Sequence, residues 1–400
     1  MELAQLLEVD AQSPQNLQAE VQSWAAQLEE MYARIAPHFA RVEPRQRVLT
    51  YLKGLLSNCQ RKNGWQLAEL MGEMTPDGMQ RLLSSAKWDE NSVRDDLQSY
   101  IVEHLGEASA IGVLDETGFL KQGNKSVGVG RQYSGTAGRV ENCQIGVFLG
   151  YATVKGFAFL DREIYLPKEW ASDQERREAV GVPEEVKFAT KPQLARVMLE
   201  RAQAAGVALA WVSGDTVYGN DRRLRGWLEE NYQAYVLAVA CTERVWIDGS
   251  EGPTQVAVEK VIAEQPVETW QRLSCGQGSK GLREYDWTKM ELVSGQQTGW
   301  SRWLLVRRSL TDPTQLAYLM VFAPNGTSIS EAVQVAGRRW SIEMGFEITK
   351  DELGLDHYEV RSWRAWYRHI TLVLIAHAVL SVIRAQALIT TAQKGGAATN

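Results

Sequence analysis

Cysteine is scarce in this sequence of 400 residues, and the few cysteines lack the spacing of a metal site or a disulfide framework. The four cysteines are scattered, and none stands in a CxxC pair: Cys59, Cys143, Cys241 and Cys275. This distribution argues against a disulfide framework and against a zinc site. It predicts reduced, mostly buried thiols.

Nucleotide-binding motifs are also missing. No GxxxxGK[ST] segment occurs, so nothing in the sequence supports ATP-driven activity. Gly276, Gly278 and Gly281 match GxGxxG, but residues 282–293 after them have the pattern of a strand and not of a helix. A dinucleotide site is therefore not expected there.

The chain has no excess of positive charge and no long apolar run. With 43 basic and 49 acidic residues its net charge is −6, so contacts with DNA must come from local basic patches. The first residues show no secretory pattern, which predicts a cytoplasmic protein. The most apolar run, residues 370–383, is shorter than the roughly 20 residues that span a bilayer. It predicts a buried helix and no membrane partner.

Residues 1–110 are predicted to be a helical DNA-binding region. Apolar positions at alternating spacings of four and three predict an amphipathic helix up to about residue 37. Residues 41–62 carry six basic residues and one acid. The candidate phosphate contacts in this stretch are Arg45, Arg47, Lys53 and Lys62. Two short helices, at 65–71 and 76–86, resemble a helix-turn-helix, although any helical hairpin gives the same pattern.

From residue 111 the pattern is one of alternating strands and helices. Strands are predicted at 111–115, 144–152, 156–165, 208–215 and 234–240, with helices at 192–205 and 221–231. This order predicts a mixed α/β sheet, the first part of a catalytic core over 111–240. Residues 241–329 are predicted to be a β-rich insertion, in which 302–308 faces 316–322. Helices over 330–394 would complete the core, and 395–400 would be a tail.

Three acids stand out by position. Asp115 is predicted to end the first strand and Asp215 the fourth, so both can project from one sheet edge into a shared crevice. Glu343 lies on a later predicted helix. Carboxylate oxygens from three elements suit Mg²⁺ or Mn²⁺, and two such ions can promote phosphodiester cleavage. The alternative is that these acids merely cap helices or turns.

The sequence around the acids resembles the acidic motifs of bacterial insertion-sequence DDE transposases, in particular the group numbered seven hundred and one. The motifs are Leu-Asp-Glu-Thr-Gly-Phe at 114–119, Gly-Asp-Thr-Val-Tyr-Gly at 214–219 and Arg-Trp-Ser-Ile-Glu at 339–343. The likeness continues at 131–136, 161–167 and 356–361. It implies an RNase H-like core with a β-strand insertion between the second and third acids. It also implies cut-and-paste movement of an element bounded by inverted repeats.

The surroundings of the third acid fit the resemblance in all but one position. Related transposases carry a Tyr-Arg-Glu-Lys signature there; Arg339, Glu343 and Lys350 fit its spacing, but Ala336 replaces the tyrosine. The resemblance selects Glu343 as the metal ligand, with Arg339 and Lys350 gripping the DNA backbone beside it. Glu347, one helical turn further on, is the rival that spacing alone does not exclude.

Aromatic and basic residues alternate between 361 and 368. Arg361 and Arg364 are candidate DNA contacts, and Trp363, Trp366 and Tyr367 could stack on bases. The equal alternative is a helix that buries its aromatic side chains and exposes its arginines.

Together these features predict a DDE transposase that binds double-stranded DNA at the element's ends and at the target, with Mg²⁺ as cofactor. A homodimer is expected on paired ends. Two alternatives remain: a domesticated DNA-binding protein without catalysis, and a stand-alone structure-selective nuclease. The three acids disfavour the first, and the basic region and large insertion disfavour the second.

Overall fold

The computed structural model describes residues 14–135, 137–249, 252–263, 265–278, 281–293 and 297–397. It begins with helices α1 (Pro14–Ile35), α2 (Val42–Leu55), α3 (Gly64–Leu70), α4 (Asp77–Ser84) and α5 (Glu90–Leu105). Asn63 starts α3 by accepting hydrogen bonds from the amides of Trp65 and Gln66. Gly72, at φ 75°, makes the turn that leads to α4. The predicted helical hairpin is confirmed, and the predicted domain boundaries stay predictions.

Strands form one large sheet and a small ribbon. Their bounds are β1 (Ile111–Leu120), β2 (Gly130–Ser134), β3 (Arg139–Ala152), β4 (Phe157–Tyr165), β5 (Trp211–Gly214), β6 (Ala234–Val239), β7 (Arg244–Gly249), β8 (Gly252–Ala257), β9 (Gln271–Gly278), β10 (Gly281–Glu291), β11 (Trp300–Arg308) and β12 (Leu316–Pro324). The large sheet has the order β2-β3-β1-β5-β6-β12-β11-β10-β9, and β4 also pairs with β3. The ribbon is β7 with β8.

The other helices connect or cover these strands. They are α6 (Lys168–Ser172), α7 (Gln174–Ala179), α8 (Lys191–Ala204), α9 (Thr216–Gly219), α10 (Arg222–Glu230), α11 (Val258–Ala263), α12 (Ile329–Arg338), α13 (Trp340–Asp351) and α14 (Trp363–Ala397). A capping box between Thr190 and Gln193 starts α8. β1 is antiparallel to β3 and parallel to β5, and β5 is parallel to β6. With α8 and α10 as crossovers, this is the predicted RNase H-like α/β core.

The strands of the β-rich insertion extend the core sheet. β12 pairs with β6, and β11 pairs with β12 from Arg302 opposite Phe322 to Arg308 opposite Leu316, which confirms the predicted pairing. The glycines of the GxGxxG match lie in β9 and β10, so a strand and not a helix follows them. The core sheet therefore continues without a break into the insertion.

The apolar run near the end of the chain lies in α14, and most of it is buried. By length and composition Trp363–Thr390 could cross a membrane, but 56% of its most apolar window is buried inside the protein. Arg368 and Thr371, on the same helix, make buried hydrogen bonds to other elements. Both observations fit the predicted buried helix, which packs on α5 and β4.

Several predicted strand bounds were wrong. β1 does not end at Asp115 but continues to Leu120, because β3 offers it a partner as far as Cys143. The strand predicted over 208–215 begins only at Trp211 and ends at Gly214. β2 was not predicted, since its five residues pair only with the outer part of β3.

Candidate active site

Asp115 and Asp215 lie side by side because their strands are parallel neighbours. Leu114 of β1 is in register with Gly214 of β5, and a carboxylate, Asp115 or Asp215, follows each of them in the chain. β5 ends there, and Asp215 starts α9 by accepting a hydrogen bond from the amide of Val217 at 2.8 Å. Although β1 continues, it has no further pairing with β5. Both acids therefore lie at the point where the pairing between β1 and β5 ends.

Burial and mutual repulsion both act on these two acids. Burial raises the pKa of Asp115 to about 7, and the Asp215 carboxylate adds to the rise. Burial also raises the pKa of Asp215, and the negative charge of Glu116 raises it further. Carboxylates in such a position resist ionisation together unless a cation lies between them. The pair is therefore a place that attracts positive charge.

Arg339 joins the third acid to this pair. Its Nη2 lies 2.8 Å from Oε1 of Glu343, and its Nη1 lies 3.8 Å from Oδ2 of Asp115. Arg339 occupies the single position between α12 and α13, one helical turn before Glu343. Its guanidinium thus bridges carboxylates from β1 and α13.

Helix α13 can approach the sheet closely because of its apolar face. A Cβ on Gly345 would come within 2.4 Å of the Phe157 ring on β4, so only glycine allows this distance. One residue later, Phe346 packs against Phe148 of β3 with ring centroids 5.2 Å apart. This packing carries Glu343 to the same side of the sheet as Asp115.

Glu347 is placed differently from Glu343. Glu347 lies one turn further along α13 and is exposed, whereas Glu343 is half-buried. The contacts of Arg339 link Glu343, and not Glu347, to Asp115. The arrangement favours Glu343 as the third ligand.

Lys350 and Ala336 flank this part of the site. Lys350 Nζ donates to the carbonyl of Gly118, three residues beyond Asp115 on β1, at 3.3 Å. Burial lowers the pKa of Lys350. Ala336, at the position of the family's tyrosine, is half-buried on α12. DNA contacts by Arg339 and Lys350 stay predictions, because both cations are engaged within the protein.

Sequence reasoning missed two residues that hold a fourth carboxylate beside the site. Lys191 Nζ lies 2.6 Å from Glu116 Oε1, and the Tyr218 hydroxyl donates to Glu116 Oε2 at 2.7 Å. Since the Glu116 charge helps to raise the pKa of Asp215, these contacts bear on the site's electrostatics. Tyr218 could have been noticed within the second acidic motif. Lys191 begins a helix far away in sequence and gives no such signal.

The donor set fits Mg²⁺ or Mn²⁺. Asp115, Asp215 and Glu343 offer carboxylate oxygens, the hard ligands that these ions prefer, and a divalent cation would relieve the repulsion between the half-buried acids.

Another compact group of ligand-type side chains among the described residues lies elsewhere. Glu30, Glu103 and His104 have ligand atoms within 4.8 Å of one another. Arg34 already pairs with Glu30 and Glu103 at 2.7 and 2.6 Å, so the protein itself neutralises part of the charge of that group.

The candidate DNA contacts of the N-terminal region have different surroundings. Lys62 is 3% exposed, and its ammonium donates to the carbonyl of Ser57, so its contact with a phosphate stays a prediction that this conformation does not favour. Burial lowers its pKa. Arg45 donates to the carbonyl of Phe39, and Arg47 pairs with Glu73. Lys53 is 51% exposed, with Glu29 at 3.8 Å.

Two of the three aromatic residues near the start of α14 are not available for base stacking, and the third, Trp363, is half-buried. Trp366 and Tyr367 are buried, at 0% and 5% exposure, whereas Arg361 and Arg364 are exposed. This matches the alternative of a helix that buries its aromatic face. Only the two arginines remain candidate phosphate contacts there.

Comparison with known proteins identifies the family of this chain. The family of DDE superfamily endonucleases matches residues 34–294, a stretch that includes Asp115 and Asp215 and ends before Glu343. The chain is also similar to a protein described as probable transposase for insertion sequence element IS701, from Microchaete diplosiphon. The two are 26% identical over 319 residues, which cover 76% of this chain and 75% of the relative. Because the family match spans well over half of the chain and includes the paired acids, the chain belongs to the DDE superfamily of endonucleases.

Proposed function

We propose that this protein is a DNA transposase that binds the ends of an insertion sequence, cleaves phosphodiesters there and transfers the 3′ ends to target DNA with Mg²⁺ or Mn²⁺. The observation that carries this proposal is the half-buried Asp115–Asp215 pair, joined to Glu343 through Arg339. Family membership and the name of the similar protein support the same class of reaction.

Asp115, Asp215 and Glu343 are the residues that would hold the metal. When bound, two such ions activate the attacking oxygen and stabilise the leaving one. Arg339 would then exchange its carboxylate partners for phosphate oxygens, since a guanidinium binds either group in the same two-pronged way. Lys350, beside Gly118, adds positive charge at the same edge of the sheet.

Duplex DNA would meet the protein at its exposed cations. Lys53, Arg361 and Arg364 are the solvent-facing members of the predicted set. Arg45 and Arg47 would contribute indirectly, because they tie α2, the helix that carries Lys53, to Phe39 and Glu73. Binding through phosphate neutralisation weakens steeply as salt is raised, so replacing the exposed cations should flatten that dependence.

The test is incubation of the full chain with labelled duplex DNA from the regions that flank its gene. Cleavage should require Mg²⁺ or Mn²⁺ and stop in excess EDTA. Asp115→Asn, Asp215→Asn and Glu343→Gln should each abolish strand cleavage and leave DNA binding largely intact, because metal ligation and not affinity is removed. Near-normal cutting by any of the three would remove that residue from the mechanism.

A target plasmid in the same reaction separates the alternatives. A transposase joins the 3′ ends to the plasmid, a stand-alone nuclease releases cut DNA without joining it, and a domesticated binding protein does neither. Mass photometry on DNA with two ends tests the proposed homodimer, which should contain two chains for each pair of ends.

A further inference from the structure

Arginine and aromatic side chains lead away from the candidate active site toward the insertion. Trp340 follows Arg339 directly and is 48% exposed. The guanidinium of Arg283, on β10, lies 5.8 Å from the Trp340 ring centroid, and that of Arg339 lies 5.9 Å from it. Arg283 is held there by a 3.1 Å hydrogen bond to the carbonyl of Gly337. Strand β10 of the insertion therefore adjoins the residues beside the third acid.

Beyond Arg283 lies an open groove. β11 ends opposite Asp286, while β10 continues to Gly281 with only β9 beside it. This leaves a groove of about 600 Å³ between residues 282–285 and the segment from Arg307 to Leu316. Within it the Arg307 guanidinium lies 4.5 Å from the Tyr285 ring centroid. Glu284, the one acid of the lining, is exposed at its rim.

On the described parts of strands β9, β10 and β11, the arginines of one face are paired with an acid and those of the groove face are not. Arg272 and Arg308 both pair with Asp286 at 3.3 Å. Asp286 and Tyr285 are adjacent in β10 and so point to opposite faces of the sheet. Among the ion pairs of the described residues, Arg283 and Arg307 have no carboxylate partner, and Nε of Arg283 is buried without a hydrogen bond. The groove thus has two positive charges without an ion-pair partner among the described residues.

We propose that Trp340, Arg283, Tyr285 and Arg307 form a strand track, which binds a short unpaired DNA strand next to the scissile phosphate. Bases in a duplex are already stacked and paired, whereas unpaired bases stack on exposed aromatic rings and their phosphates pair with arginines. The alternation of aromatic and arginine residues in the strand track matches that need. This inference rests on the proposed function, because it assigns the track a part of the same substrate.

The test uses the full chain with a fluorescent oligothymidylate of roughly 12 nucleotides, a length within the usual range of single-strand sites, and a duplex of equal length. Tyr285→Ala and Arg307→Ala should each weaken single-strand binding by about fivefold to a hundredfold, the range typical of lost stacking, and change duplex binding much less. Arg272→Ala is the matched control. It removes one positive charge from the neighbouring strand β9, outside the groove, and should leave both affinities unchanged.

A second measurement does not depend on these variants folding normally. A pre-cut DNA end with an overhang containing 5-iododeoxyuridine is irradiated with the wild-type chain, and the crosslinked residue is found by mass spectrometry. Crosslinks at Trp340 or Tyr285 are expected, and crosslinks confined to other regions would overturn the proposal. So would unchanged single-strand affinity in both groove variants, or an equal loss of duplex affinity.

The binding assay is independent of catalysis. The Asp115→Asn chain should retain single-strand binding, because the strand track does not include that carboxylate. A wild-type chain that binds the oligonucleotide through Tyr285 and Arg307 but never cuts DNA would contradict the proposed function alone.

Discussion

At the scale of single residues, Arg339 occupies a position that a metal ion would also favour. Its guanidinium contacts Glu343 and lies near Asp115, so we expect it to compete with divalent cations for both carboxylates when DNA is absent. A partly exposed ion pair contributes up to about 1 kcal/mol, equivalent to about fivefold in affinity. Arg339→Ala should therefore bind Mn²⁺ about fivefold more tightly without DNA, as measured by electron paramagnetic resonance.

The same substitution should slow DNA cleavage, because the phosphate loses a positively charged contact. Arg338→Ala is the control, since the neighbouring guanidinium donates to the carbonyl of Thr153 and contacts neither acid. If Arg339→Ala and Arg338→Ala bind Mn²⁺ equally well, the guanidinium does not compete with the metal.

At the scale of elements, α13 decides which of two glutamates can serve the site. Glu343 and Glu347 are one turn apart, but only Glu343 shares Arg339 with Asp115. Glu343→Gln should abolish Mn²⁺-dependent cleavage, whereas Glu347→Gln should keep at least half of the wild-type rate, because its side chain is exposed. A dead Glu347→Gln chain beside an active Glu343→Gln chain would reverse the assignment.

The element α14 carries an acid-sensitive contribution to stability. Burial lowers the pKa of His369 to about 3 and that of His377 to about 4. The unfolded chain therefore takes up these protons at a higher pH than the folded chain does. Their contribution is fully present above about pH 6.5 and is lost as pH falls toward 4, at about 1.4 kcal/mol per histidine and pH unit. The free energy of unfolding should fall accordingly between pH 6.5 and 4.5.

His377→Leu isolates one of these two protons. The His377 ring packs against Phe157 and Phe159, at 6.0 and 5.4 Å between centroids, so an apolar replacement suits the site. The slope of unfolding free energy against pH should decrease by about one proton's share. A slope equal to that of the wild type would show that His377 is already protonated in the folded chain.

At the scale of the whole molecule, buried polar contacts tie the N-terminal helices to the core. Arg368 of α14 donates to the carboxylate of Glu90 and to the carbonyl of Trp88, and Arg162 of β4 donates to the Glu90 carbonyl. Apolar side chains of α1–α5, the sheet and α14 also belong to one continuous hydrophobic core. The two parts are therefore expected to unfold as one unit.

Glu90→Ala tests this connection. It leaves Arg368 buried without its carboxylate and should lower the free energy of unfolding in urea by about 3 kcal/mol. Glu103→Ala removes an acid whose side chain is 57% exposed from its pair with Arg34, and it should cost less than about 1 kcal/mol. Equal, small losses in both variants would mean that the connection contributes little to stability.

The sequence by itself determined the types of most elements and the residues that could be catalytic. Helical periodicity, the turn at Gly72 and the apolar strands before Asp115 and Asp215 are local patterns, and the structure follows them. The acidic motifs, together with the likeness over most of the chain, likewise indicated the family, which the match over residues 34–294 confirms.

Only the tertiary structure decided which charged side chains are available. Lys62 and Arg361 were both predicted from sequence to contact DNA. In the structure, Lys62 donates to a carbonyl inside the protein, whereas Arg361 is exposed. The bridge of Arg339 between two acids, and the contact of Arg283 with Trp340, likewise join residues on different elements. Burial and ion pairing depend on which distant segments pack together, and no local pattern contains that information.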